Sequence, residues 1–74
     1  MVAGNQFSNM KFKVKVLPAG EYLSEIFTRQ QDARNAILQI KFEAMRNKVY
    51  TRWLSRYECL INDQTFSVVR HHEK

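Results

Sequence analysis

The apolar positions change period along the chain, and each period predicts an element. Over Lys11 to Leu17, KFKVKVL, they alternate: Phe12, Val14 and Val16 on one side, Lys11, Lys13 and Lys15 on the other. A period of two is that of a half-buried strand. From Gln31 to Lys48, QDARNAILQIKFEAMRNK, the period lengthens, and at 100° per residue Ala33, Ala36, Ile37, Ile40 and Ala44 fall in one arc with Asp32, Asn35, Gln39, Glu43 and Arg46 together in another. That is an amphipathic helix. Leu38, Phe42 and Met45 form a second apolar line on its flank, with Arg34, Lys41 and Lys48 between the two lines. One partner surface cannot cover both lines, so the flank is either capped by the C-terminal part of the chain or left for association.

Turn chemistry joins these elements. Pro18 and Gly20 suit a three-residue hairpin loop after Leu17, with proline preset at the first turn position and glycine supplying a left-handed residue. The chain then doubles back, and the expected register sets Val16 against Tyr22, Val14 against Ser24 and Phe12 against Ile26 on the core side, with Lys13 meeting Glu25 outside. The rival reading takes Pro18 as the first residue of a helix through EYLSEIF. Thr28 and Gln31 have the spacing of a capping box and Asp32 follows where the helix dipole favours an anion, which predicts a helix over 30–47. Val49 to Ile61, VYTRWLSRYECLI, favours strand by composition but carries no glycine or proline to divide it. Asn62 and Asp63 can form a two-residue hairpin loop, which would pair 56–61 with 64–70 and set Tyr57, Cys59 and Ile61 on the face of Phe66 and Val68.

The resulting expectation is a single α+β domain over 1–74: an N-terminal hairpin within 10–28, a central amphipathic helix, and a C-terminal hairpin within 49–70, the antiparallel sheet packing on the helix. Residues 1–9 are expected to be a flexible leader and 71–74 a polar tail. The alternative is one long helix from about 30 to 61 that dimerises along Leu38, Phe42, Met45, Val49, Trp53 and Leu60.

Composition narrows the chemistry. A lone cysteine, Cys59, excludes an internal disulfide and a cysteine-rich zinc site. No cofactor or metal is expected, since His71 and His72 are adjacent and point apart in either regular structure. Glycine-rich phosphate loops and nucleophile elbows are absent, which argues against an enzyme. Cys59 falls on the apolar face of the expected hairpin, as a packed thiol would. No apolar run reaches the length of a membrane span and MVAGNQFSN lacks the regions of a signal peptide, so the expected location is cytoplasmic, with no membrane contact.

Twelve Lys and Arg against seven Asp and Glu give a net charge of +5, which favours anionic partners. The densest region is Lys41 to Arg56, where Lys41, Arg46, Lys48, Arg52 and Arg56 are interleaved with Tyr50 and Trp53. Cations for phosphates and aromatic rings for bases are what a nucleic-acid surface requires. The expected function is therefore a small, non-enzymatic binding module for nucleic acid or a nucleoprotein complex, with those seven residues as its surface. The alternative is a protein-interaction adaptor or inhibitor that docks a partner, or a second copy, through Leu38, Phe42 and Met45 or through a sheet edge. A second basic row, Lys11, Lys13 and Lys15, is expected to guard an edge strand against aggregation.

Overall fold

The computed structural model describes residues 10–71. In chain order these are β1 (Lys11–Leu17), β2 (Glu21–Tyr22), α1 (Gln30–Arg46), β3 (Thr51–Ser55), β4 (Glu58–Ile61) and β5 (Gln64–His71). The strands form one antiparallel sheet in the order β2-β1-β5-β4-β3, with α1 on one face. This is the expected α+β class. The leader 1–9 and residues 72–74 of the expected tail lie outside the described residues, while His71 belongs to β5 rather than to a tail. No described helix is long and apolar enough to cross a membrane.

The core lies between α1 and the sheet. Val14 and Val16 of β1, Ala33 and Ile37 of α1, Cys59 and Ile61 of β4, and Phe66 of β5 are buried, with Phe12, Leu23, Phe27, Ile40, Ala44, Val49, Trp53 and Val68 packed around them. Ala33 is fully buried, as close approach of the helix to the sheet demands. Ile37 is the largest side chain with no exposure, and burying it contributes roughly 1.5–3 kcal/mol.

The N-terminal hairpin differs from the expected register by one residue. Val16 faces Glu21 and Lys15 faces Tyr22, so the connection takes in Leu17 as well as Pro18, Ala19 and Gly20. The cause is visible on both sides of Leu17: it stays paired with Thr65 on β5, and the Gly20 N–H closes the turn on the Val16 carbonyl at 2.7 Å. Gly20 has φ 79°, the left-handed conformation expected of it. Tyr22 and Ile26 consequently leave the core, and their places go to Leu23 and Phe27. The Leu23 N–H bonds the Val14 carbonyl at 3.0 Å, and Phe12 and Phe27 exchange both backbone bonds at 2.7 Å. Two residues more are spent on the returning chain than on β1 between these contacts, so Ser24 to Ile26 loop out and Ile26 is exposed.

The helix starts where expected, by other means. Its N-cap is Arg29, in extended conformation and without a side-chain cap bond, so the capping box of Thr28 and Gln31 does not form. The first turn instead carries the exposed Arg29–Asp32 ion pair at 3.3 Å, a contact of little energetic weight at such exposure. At the other end the left-handed residue is Lys48 (φ 61°), one later than Asn47. The Lys48 N–H bonds the Met45 carbonyl at 3.0 Å and the Val49 N–H bonds the Ala44 carbonyl at 2.9 Å, the paired bonds of a Schellman motif. Val49 and Ala44 both pack on the core, which supplies its apolar contact. This stop is why no long helix runs to 61.

Residues 49–61 divide without glycine or proline. β3 and β4 pair antiparallel around a turn at Arg56 and Tyr57, with a bulge between Trp53 and Ser55. The β4–β5 hairpin has the expected register: Ile61 faces Gln64 across Asn62 and Asp63, Cys59 faces Phe66, and Asn62 takes φ 57°. The Val68 N–H to Tyr57 carbonyl bond, 3.0 Å, carries that ladder one residue further. The C-terminal part is thus a three-stranded meander, and β5 joins it to β1 over the whole length of β1, from Lys11↔His71 to Leu17↔Thr65.

Candidate nucleic-acid interface

The helix covers one face of the sheet, and alternation fixes what the other face carries. Lys11, Lys13 and Lys15 lie there because Phe12, Val14 and Val16 point at α1. Lysines two apart on a strand are separated by about 6.7 Å. Such a row can follow successive phosphates of an extended chain. Opposite it on β5 stand His71, Val69 and Ser67.

One row crosses every strand: Tyr22, Lys15, Ser67, Glu58 and Ser55 are successive neighbours. Its two ends differ in charge. The Lys13 ammonium sits 4.0 Å from the Tyr22 ring centroid and the Lys15 ammonium 5.7 Å, yet the tyrosine remains 47% exposed. At the other end the Glu58 carboxylate accepts from the Ser67 hydroxyl at 3.3 Å and the Ser55 hydroxyl at 3.4 Å. Ser67 is the one buried polar residue described, and its bond to Glu58 meets the need that burial creates. Among the described residues none of the three lysines is paired with a carboxylate, and the ion pair there is Arg29 with Asp32.

The edge-protection reading of these lysines loses its premise. β1 is flanked by β5 on one side and by β2 and the Phe27 bridge on the other, so it is an inner strand.

The seven residues singled out between Lys41 and Arg56 do not share one surface. Trp53 points to the helix side and is half-buried, opposite fully buried Cys59, whereas Arg52, its neighbour on β3, points to the helix-free face opposite Leu60. Arg46 lies on α1 half a turn from buried Ile37. Lys48 forms the left-handed turn after the helix, Tyr50 precedes β3 with 61% exposure, and Arg56 lies in the β3–β4 turn. Lys41 lies on α1, its ammonium 3.3 Å from the Met45 sulfur.

Arg34 was outside that set and is central to the region. Its guanidinium stacks 4.2 Å from the Trp53 ring centroid and its Nε donates to the Arg56 carbonyl at 2.8 Å, tying α1 to the edge of the sheet. The visible signal was its place seven residues before Lys41 on the same helix line. Burial pushes the Cys59 thiol up, against the opposing pull of Lys41, the Arg52 backbone and Arg34, which keeps it protonated at neutral pH. No pocket opens and no group of three or more metal-ligating side chains gathers among the described residues. What the molecule presents is surface. Protein-family models, curated proteins and solved structures give no match to this chain.

Proposed function

We propose that the protein is a small binding module for single-stranded nucleic acid, free or within a nucleoprotein, and that it binds on the helix-free face of the sheet. The observation that supports this most is the row Lys11, Lys13 and Lys15 on one face of an inner strand, beside a half-exposed Tyr22. Phosphates run along the lysines and a base stacks on Tyr22. The backbone of β1 is held on both sides, so the cations keep their spacing without being ordered at the moment of binding. Arg52 and His71 extend the same face at its far side and far end. Lys41, Arg46, Lys48, Arg56, Tyr50 and Trp53 lie outside this track.

Fluorescence anisotropy of a labelled single-stranded oligonucleotide across a salt series tests the proposal. Three phosphate contacts on a single strand give a slope of log affinity on log salt of about −2. Lys13→Glu with Lys15→Glu is expected to weaken binding at least about tenfold and to bring the slope to about −0.7. Binding that is indifferent to salt, or unchanged in that variant, would overturn it.

A further inference from the structure

A second surface lies on α1, away from the sheet. Phe42 is 49% and Met45 50% exposed, and Leu38 beside them is half-buried, so the flank line is not capped by the C-terminal strands. Projected down the helix at 100° per residue, an arc of roughly 160° contains Lys41, Arg34, Met45, Leu38, Phe42, Arg46 and otherwise only Gln31, Asn35 and Gln39. Both acids of the helix, Asp32 and Glu43, fall outside it. Lys48 adds a further cation at the helix end. The apolar patch therefore has cations on both sides and no carboxylate within its arc.

We infer that this patch docks an acidic amphipathic segment of a partner protein. The apolar side of such a segment covers Leu38, Phe42 and Met45 while its carboxylates meet Lys41 and Arg34 along one margin and Arg46 along the other. Charge decides between occupants. A second copy brought onto the same patch sets a cationic rim of Arg34, Lys41 and Arg46 against another rim of the same sign, and a nucleic acid strand finds one aromatic ring, Phe42, and leaves the aliphatic Leu38 and Met45 uncovered. The Arg34 side of the margin is already ordered by its stacking on Trp53 and its bond to Arg56. Methionine at the centre suits a surface that adapts to its occupant.

The test uses the full chain and two synthetic helical peptides that share leucines at positions i, i+3, i+4 and i+7, one with glutamate and one with lysine elsewhere. Titration calorimetry is expected to show binding of the Leu/Glu peptide and none of the Leu/Lys peptide. Phe42→Ser, and separately Lys41→Glu with Arg46→Glu, should each weaken it about tenfold or more, while Lys13→Glu with Lys15→Glu leaves it within about twofold. A melting curve for each variant separates lost docking from lost fold, and the charge-reversal pair, both on the helix surface, keeps the test intact if Phe42→Ser unfolds. Equal binding of both peptides, binding of neither, or sedimentation showing that Phe42 instead mediates self-association would each overturn the inference.

Discussion

Two runs of cations stand in this chain, and the fold treats them differently. Lys11, Lys13 and Lys15 belong to one strand, whose period of two holds every cation on the same face. Lys41, Arg46, Lys48, Arg52 and Arg56 spread over a helix, its terminal turn, an edge strand and a hairpin turn, and each element sends its side chain elsewhere. Density along the sequence therefore says less about a binding surface than periodicity within one element does. The shorter run is the one that forms a track.

The largest effect is expected from loosening the helical layer that gives the sheet two unlike faces. Ile37→Ala should cost about 2–5 kcal/mol in chemical denaturation, because the side chain is fully buried between α1 and the sheet. For a chain of this size that is a large part of the whole stability. By contrast Lys13→Ala should change stability by no more than about 0.5 kcal/mol.

At the lysine row itself the informative substitution is Tyr22→Ala. It should weaken single-strand binding by about 1–3 kcal/mol, read from anisotropy, if a base stacks on the ring. The same measurement on Tyr50→Ala, which is more exposed but away from the lysine row, should show no change.

Lys48→Gly separates a structural from a ligand-binding reason for one member of the longer run. Lys48 holds φ 61° at the position where a Schellman turn favours glycine. Glycine there should raise stability by about 1 kcal/mol in thermal or denaturant unfolding, with single-strand affinity unchanged.

The smallest effect concerns Cys59, whose thiol burial pushes above its ordinary value. A raised folded-state pKa means that the contribution is present in full below the unfolded thiol's pKa and is lost as pH rises through the folded value. Stability should thus decline on the alkaline side, and Cys59→Ala, though less stable at neutral pH, should decline less steeply over the same range. Denaturation midpoints across that range check it.

What could be read from the residues was local. KFKVKVL declared its strand and its two faces, the Ala33, Ile37 and Ala44 spacing declared the helix, and Asn62-Asp63 declared a hairpin whose register needed only neighbours. The errors have nonlocal causes. Leu17 could equally pair with the returning chain or with Thr65, and its pairing with Thr65, set by a strand almost fifty residues away, shifted the N-terminal register and turned Tyr22 outward. The Arg56-Tyr57 turn carries none of the usual turn residues and follows from the packing of Trp53 and Cys59 on the same core. The β1–β5 pairing, which makes β1 an inner strand and so changes the meaning of its lysines, has no local signature at all.

The most direct test of the lysine track is an amide-resolved NMR titration of the labelled full chain with a short single-stranded oligonucleotide at low salt. Shift changes are expected to concentrate on Lys11 to Lys15, Tyr22 and the facing residues Ser67 to His71, with α1 quiet. Changes confined to α1 and the β3 edge, or no changes anywhere, would contradict it.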